Sequence, residues 1–272
     1  LPGVAYSPYH ANHACKTQEE VAQDFRRLKG KYSMVRIYGT DCSQVETVRN
    51  AAKEVDIKLF LGIWDPNKLE QETQAIIEGV HGDWAMVEAV AVGNEVIDRG
   101  EATPEQLNAA VRETRATLRA AGYQGPVVSV NTQIAVERYP ELCSASDLCA
   151  INAHPFFDRT SSAENAGQWL NTTVARLQAV LPEGTKFLIS ETGWPTRGLT
   201  NGLAVPNTQS QRAALASIKE AFAENQDDVV FLSAFDSLLK EDHEGTFLSE
   251  KYWGIHEDEA SMPKLGDVKQ QP

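Results

Sequence analysis

Two glutamates stand where an apolar segment of the chain gives way to a turn. Glu95 follows the segment 90–92, and Glu191, which lies 96 positions further along the chain, follows the segment 187–189. A charged side chain at the end of a buried strand completes a core poorly, but it is well placed at the mouth of a parallel barrel. The pair therefore predicts a glycosidase, in which two carboxyl groups flank the bond to be cleaved.

The two carboxyl groups must differ in protonation for this chemistry. One keeps its proton to act as a general acid, while the other is ionised and attacks the sugar or activates water. Arg36, inside the second apolar segment, is the candidate to hold the nucleophile ionised. A separation of about 5–5.5 Å predicts retention of configuration and one of about 6.5–9.5 Å predicts inversion. Sequence spacing leaves that choice open.

The elements that must position these groups recur along the whole chain. Many of the apolar segments are followed by an amphipathic helix, and several are apolar on both faces, as in a barrel covered by helices. The pattern predicts a single-domain (β/α)8 TIM barrel over residues 1–272. An open doubly wound sheet is disfavoured because no glycine-rich dinucleotide or phosphate loop is present. The predicted strands are residues 3–7, 34–38, 58–63, 87–92, 127–131, 150–153, 187–190 and 229–234, and the predicted helices are 18–28, 45–55, 68–80, 104–121, 163–180 and 209–225.

Function in a barrel lies at the carboxyl ends of the strands. In this chain those ends are rich in aromatics, amides and carboxylates, and they carry no metal-type His/Asp cluster, so we expect neither metal nor cofactor. Aromatic faces and hydrogen-bonding side chains suit a carbohydrate ligand. His154 either touches the substrate or holds a loop. The strand-end residues are Tyr6, Tyr9, Arg36, Tyr38, Trp64, Asn94, Glu95, Asn131, Asn152, His154, Phe156, Glu191, Trp194, Phe235 and Asp236.

Composition narrows the class of partner. The chain has 25 basic and 38 acidic residues, a net charge of −13, which argues against nucleic acid and anionic membranes as partners. No apolar run approaches the roughly 20 residues that span a bilayer. Because the sequence starts at Leu1-Pro2 rather than at Met, we expect a processed secreted protein, and we also expect a monomer.

Four cysteines at wide spacing predict two disulfides in an oxidising compartment, and three pairings are possible. We favour Cys15–Cys42, because both residues follow neighbouring strands at the same end of the fold. Cys143–Cys149 would then close a short local loop. The alternative is four free buried thiols.

Several motifs resemble glycoside hydrolase family 17, the β-1,3-glucan-active (β/α)8 enzymes. They are MVRIY at 34–38, VGNE at 92–95 and SETGWPT at 190–196. The segment SAFD at 233–236, Lys240 and YWGI at 252–255 resemble the fungal cell-wall branch of the family. The motifs extend over almost the whole chain, and SETGWP at a strand end is the most specific of them.

The resemblance implies roles for individual residues. Glu95 is expected to be the general acid/base and Glu191 the nucleophile, with retention through a covalent glucosyl-enzyme. Asn94 is expected to hydrogen-bond the sugar 2-hydroxyl at the cleavage point. The expected donor subsites comprise Tyr38, Trp194, Phe235 and Asp236, and Asn131 and Lys240 are further candidates for substrate binding.

One departure from the family bears on the outcome of the reaction. Only about ten residues separate Asn152 from the next predicted helix, whereas plant endo-glucanases of this family carry a larger insertion there. We expect a short acceptor side lined by Phe156, Phe157 and Asp158, which favours transfer to a sugar over hydrolysis.

The prediction is thus a secreted or cell-wall β-1,3-glucanosyltransferase. The alternatives are an endo-β-1,3-glucanase that transfers to water and a non-catalytic glucan-binding wall protein. A phosphate-binding barrel enzyme is disfavoured because no glycine-rich loop follows the last two strands.

Overall fold

The computed structural model describes residues 1–257. Eight parallel strands close into a barrel in chain order, and β8 pairs with β1 through Gly3 and Val230. The predicted (β/α)8 fold is confirmed. The strands are β1 Gly3–Ala5, β2 Met34–Arg36, β3 Lys58–Ile63, β4 Val87–Asn94, β5 Val127–Thr132, β6 Cys149–Asn152, β7 Phe187–Gly193 and β8 Val229–Leu232.

Seven α-helices surround the barrel in the described part of the chain. Their starts follow local rules: Thr103 caps α4 in a capping box with Gln106, and Pro104 occupies the first helical position. After β8, residues up to 257 contribute a single 3-10 turn, Glu244–Thr246. The helices are α1 Gln18–Leu28, α2 Gln44–Val55, α3 Leu69–Val80, α4 Pro104–Ala120, α5 Gln133–Arg138, α6 Ala166–Gln178 and α7 Thr208–Ala221.

Some predicted boundaries are wrong by a few residues. Helix α6 begins at Ala166 because residues 163–165 form a 3-10 turn before it, and α7 ends at Ala221 rather than at residue 225. Strands β4 and β7 extend further than predicted, to Asn94 and Gly193, and they carry residues of the site with them. Residues 258–272, which the prediction included in the single domain, lie outside the described residues.

Apolar side chains fill two layers. The outer layer lies between the strands and the helices, and the inner one fills the barrel with residues such as Met34, Phe60 and Leu188. Because side chains alternate along a strand, each inward-facing apolar residue predicts the direction of the residue two positions later. Above Met34 stands Arg36, which is only 1% exposed, and above Ala150 stands Asn152. The barrel interior thus changes from apolar to polar at its carboxyl end.

Both favoured disulfides are present. Cys15 pairs with Cys42, which ties the loop after β1 to the loop after β2. Cys143 pairs with Cys149, which ties the 3-10 turn Pro140–Cys143 to the start of β6. The first of these bridges lies at the carboxyl end of the barrel, where it holds two of the loops that surround the polar interior.

Candidate active site

A groove with a volume of about 1590 Å³ opens at the carboxyl ends of the strands. Glu95 and Glu191 both line it, so the fold brings the two predicted carboxyl groups into one site. Of the other predicted residues, the following also line the groove: Tyr38, Asn94, Phe157, Phe235, Asp236 and Lys240.

A local irregularity presents Asn94 and Glu95 to the same groove, although consecutive residues of a regular strand face opposite sides. The pairing of β4 with β5 shifts register between Val92 and Asn94. Gly93 has a φ of +76° and Glu95 a φ of +55°, both in the left-handed region. This conformation costs a non-glycine residue on the order of 1–3 kcal/mol, and such strain concentrates at functional sites.

Glu191 accepts hydrogen bonds from both sides and has a cation beside it. The Tyr38 hydroxyl donates to its Oε2 at 2.6 Å, and His154 Nε2 lies 2.8 Å from its Oε1. The guanidinium of Arg36 is 3.6 Å from Oε2. Burial alone would raise the pKa of Glu191, but the His154 hydrogen bond and the charges of His154, Arg36 and Lys240 lower that pKa to about 2. Glu191 is therefore ionised.

The environment of Glu95 has the opposite effect. Burial, followed by the negative charge of Glu191, raises the pKa of Glu95, and a hydrogen bond from Asn152 Nδ2 at 3.1 Å only partly offsets this. Two carboxyl groups whose pKa values are pushed apart are suited to complementary acid and base roles. The surroundings of Glu95 thus favour its protonated form, whereas those of Glu191 favour its charged form.

A buried amide network connects the two carboxyl groups. Asn152 Nδ2 donates to Glu95 and to Asn94 Oδ1, while Asn152 Oδ1 accepts from Arg36 at 3.3 Å and from the Ser190 hydroxyl at 2.9 Å. Arg36 also donates to Asn94 Oδ1 at 2.9 Å. Because its carbonyl oxygen is occupied by two donors, Asn94 presents its amide N–H group as the one suited to bind a ligand.

The sequence predicts either a substrate contact or loop support for His154. In the structure, His154 also hydrogen-bonds to Glu191 and lowers the pKa of that carboxyl group. We expect His154→Phe to move the acidic limb of the kcat/KM pH profile to higher pH. The phenyl ring keeps the packing on Trp253 and Phe157 but removes the hydrogen bond and charge that lower the pKa of Glu191. Without these two effects the pKa of Glu191 rises, so its carboxylate is protonated at a higher pH than in the wild type.

The measurement is a pH series of kcat/KM on one soluble oligosaccharide. His81→Phe is the matched control, because His81 is exposed and pairs with Glu46 outside the groove. An unmoved acidic limb in His154→Phe would contradict the proposed influence of His154 on Glu191.

Four of the predicted binding residues lie away from the groove, and their predicted substrate contacts are corrected. Trp194 is fully buried and its indole N–H donates to the Val205 carbonyl, so it packs the core. Phe156 is also fully buried, against Trp194 and other rings. Asn131 is 1% exposed and bonds to Ser129 within the barrel. The carboxylate of Asp158 accepts from Thr160 and Trp169 and so holds its own loop.

The sequence interpretation missed Glu72, on helix α3. Its carboxylate accepts hydrogen bonds from the Thr40 hydroxyl at 3.0 Å and from the backbone N–H groups of Trp64 and Asp65 at 3.1 and 2.7 Å. It is 7% exposed. One buried carboxylate thereby fastens the loop after β2 to the loop after β3. A glutamate in the first turn of a predicted helix carries no sequence signal for this role.

We expect Glu72→Gln to lower the free energy of unfolding by about 1–3 kcal/mol. The amide has one acceptor oxygen where the carboxylate has two, so a donor would face a donor at Thr40, Trp64 or Asp65. Chemical denaturation measures the loss, with Glu70→Gln, an exposed neighbour on the same helix, as the control. Equal stability of the two variants would contradict the role of Glu72 as a loop anchor.

Residues 1–257 contain no group of three or more His, Cys, Asp or Glu side chains arranged to hold a metal ion. Within the same residues, no helix is both long and apolar enough to cross a membrane. The groove brings together an ionised carboxylate, a carboxyl group with a raised pKa, and amide and hydroxyl donors beside them.

Comparison with known families agrees with this arrangement. The family model for the BtgE/BtgC glycoside hydrolase domain matches residues 3–254. The chain belongs to this glycoside hydrolase family. The match takes in the eight strands of the barrel and both carboxyl groups.

Named relatives confirm the resemblance to family 17. The chain is 43% identical over 256 residues to the cell surface mannoprotein MP65 of Candida albicans, covering 93% of this chain and 66% of that protein. It is 39% identical over 259 residues to the probable family 17 glucosidase SCW4 of Saccharomyces cerevisiae, covering 94% and 65%. The chain thus spans just under two thirds of the length of these relatives.

Among solved structures, the family 17 β-1,3-glucanosyltransferase from Rhizomucor miehei has a similar fold. Its TM-score is 0.79 at 23% identity, with 94% of this chain and 92% of that chain covered. An active-site mutant of the Rhizomucor enzyme in complex with laminaritriose gives the same TM-score at 22% identity.

Proposed function

We propose that this glycoside hydrolase is a retaining β-1,3-glucanosyltransferase, with Glu191 as nucleophile and Glu95 as general acid/base. The observation that supports it most strongly is that the surroundings of the two carboxyl groups shift their pKa values in opposite directions. Glu191 has a pKa lowered to about 2 beside Arg36 and His154, while burial and the charge of Glu191 raise the pKa of Glu95. A retaining enzyme needs an ionised attacking group and a protonated acid at the same pH.

In the first step, a carboxylate oxygen of Glu191 attacks the anomeric carbon of the donor glucan. The glycosidic bond breaks, and Glu95 gives its proton to the departing sugar oxygen. The product is a glucosyl ester of Glu191 and an ionised Glu95. In the second step, Glu95 takes a proton from an acceptor hydroxyl, whose oxygen attacks the anomeric carbon of the glucosyl ester and releases the Glu191 carboxylate. Glu95 is thereby protonated again, so the enzyme ends as it began.

We assign the donor side to Asn94 and to groove residues that follow β2 and β8. The Asn94 amide N–H is suited to the 2-hydroxyl of the reacting sugar, because its carbonyl already accepts from Arg36 and Asn152. Tyr38, which follows β2, and Phe235, Asp236 and Lys240, which follow β8, line the same groove. Burial, together with the charge of Glu191, raises the pKa of Tyr38 well above its ordinary value, so this hydroxyl remains a donor.

The acceptor side is assigned to the loop after β6. Between Asn152 and helix α6 this loop contains two 3-10 turns, Pro155–Phe157 and Ala163–Asn165, and no larger insertion. Phe157 is 40% exposed and lines the groove, with its ring against Phe247 and Trp253. A fixed, exposed ring lets an acceptor sugar stack beside the intermediate, where its hydroxyl competes with water.

The closest rival is a plain endo-β-1,3-glucanase, in which water completes the second step. The short loop after β6, with its exposed Phe157, favours transfer. The two disulfides favour an oxidising compartment, and one relative is named a cell surface protein, so we propose that the enzyme works secreted or at the cell wall.

A product time course on one defined β-1,3-gluco-oligosaccharide tests the proposal. Products longer than the substrate are expected at early times. Phe157→Ala is expected to shift the products toward hydrolysis, because it removes the acceptor platform and leaves both carboxyl groups in place. Products that are only shorter would support the glucanase, and no products at all would return the protein to the class of glucan-binding proteins.

A further inference from the structure

Trp64 is an exposed aromatic in the groove that neither carboxyl group uses. It follows β3 and is 47% exposed, more than the other groove aromatic considered for stacking, Phe157 at 40%. Exposing an indole to water is unfavourable, and it is informative when the ring lines a concave site. The question is which ligand would cover it.

Trp64 is fixed at its backbone and has a cation over its ring. The backbone N–H of Trp64 donates to the buried carboxylate of Glu72, which also accepts from the backbone N–H of Asp65. The guanidinium of Arg99 lies over the ring, 5.1 Å from its centre, and Arg99 is itself paired with Glu101 at 3.0 Å. Because Arg99 lies over one face of the indole, the opposite face is the one that a ligand would use. A fixed ring with one open face is a preorganised stacking surface.

Polar residues close to Trp64 in the chain line the same groove. They are Asp65, Lys68 and Gln71, from the loop after β3 and the start of α3. Lys68 and Gln71 are exposed. An apolar platform with donors and acceptors at its edge is suited to a pyranose ring, whose faces are apolar and whose rim carries hydroxyls.

The position of β3 in the barrel assigns this platform to one side of the cleavage point. Glu95 directly follows β4, and Glu191 lies on β7. These two strands separate the barrel mouth into one arc formed by β8, β1, β2 and β3 and another formed by β5 and β6. The proposed donor residues Tyr38 and Phe235 follow β2 and β8, whereas Phe157 follows β6. Trp64 therefore lies on the donor arc.

We propose that Trp64 is the platform of an additional donor subsite, on which a glucosyl unit remote from the cleaved bond stacks. This inference rests on the proposed function, because it assumes a β-1,3-glucan donor. A remote platform stabilises long donors in the ground state and the transition state alike, so its effect grows with chain length and leaves the chemistry unchanged.

The experiment compares wild type and Trp64→Ala on a ladder of β-1,3-gluco-oligosaccharide donors of increasing length. We expect kcat/KM to be unchanged on the shortest donors that react and to fall about tenfold on long ones. The ratio of transfer to hydrolysis should stay as in wild type, because the acceptor arc is untouched. Trp64→Tyr should keep most of the wild-type activity on long donors.

Leu199→Ala is the matched control, since Leu199 is 48% exposed and does not line the groove. A loss of equal size at every chain length, or a changed transfer ratio, would overturn the inference and leave the proposed function intact. If Trp64→Ala proved less stable, Trp64→Tyr would decide, because a stable tyrosine variant with the alanine-like length dependence would also overturn it. Inactivity of the wild type on every donor would instead overturn the proposed function.

Discussion

Replacing Glu191 by glutamine is expected to reduce product formation from β-1,3-gluco-oligosaccharides by at least about 10⁴-fold. Glutamine keeps the shape of the side chain and accepts the Tyr38 hydrogen bond, but it cannot form the glucosyl ester. It also leaves Arg36 without its carboxylate at 3.6 Å. Initial rates on a single substrate measure the loss, and Glu183→Gln, an exposed glutamate before β7, is the control.

The same variant separates an enzyme from a glucan-binding protein. Calorimetric titration with the same oligosaccharide should show that Glu191→Gln still binds, because the groove residues that contact a sugar remain. Identical behaviour of variant and wild type in both assays, with binding and no products, would mean that the two carboxyl groups do not perform catalysis.

Replacing Glu95 by glutamine is expected to cost about 10²–10⁴-fold in kcat/KM on natural oligosaccharides. The departing sugar oxygen then receives no proton, and the acceptor hydroxyl loses its base. The loss should be much smaller for a donor with a stable phenolate leaving group, since that group departs without a proton. Rates on the two donor types, measured side by side, give the contrast.

Added azide sharpens the test of Glu95. Azide attacks the glucosyl ester without a general base, so it should restore turnover of Glu95→Gln with the activated donor and yield a β-glucosyl azide. An equal loss on both donor types, with no azide product, would contradict the assignment of Glu95 as the acid/base.

The site follows from the sequence where a charged residue interrupts an apolar strand. Glu95, Glu191 and Arg36 stand out because a carboxylate or guanidinium at the carboxyl end of a buried strand has no use in a core. The alternation of side chains along β2 places Arg36 directly above Met34 inside the barrel. These positions depend on local pattern alone, which a single sequence contains.

Aromatic residues behave differently, because a ring suits the core and the groove equally well. Trp194 and Phe156 were predicted to bind sugar, yet both are fully buried. The direction of a ring after a strand end is decided by long-range partners, such as the Val205 carbonyl that accepts from Trp194. Trp64 and Phe157 are the rings that remain exposed in the groove.

The local sequence pattern also could not predict the hydrogen bonds between segments that are far apart in the chain. Asn152 lies 57 positions from Glu95, and Thr40, which donates to Glu72, lies 32 positions before it. Each of these bonds exists because the closed barrel brings its strand ends together. Once the order of the strands is predicted, the order of the loops around the barrel mouth is known. Which side chains hydrogen-bond between those loops depends on side-chain geometry, which the strand order does not contain.

The most direct test of the account is to trap the covalent intermediate. The protein would be incubated with a β-1,3-linked glucosyl fluoride whose reacting sugar carries a second fluorine in place of its 2-hydroxyl, and then analysed by intact mass and peptide mapping. The account predicts one added glycosyl group, located on Glu191 and absent in Glu191→Gln. An adduct on another residue, or an active enzyme that releases products of inverted configuration without an adduct, would contradict it.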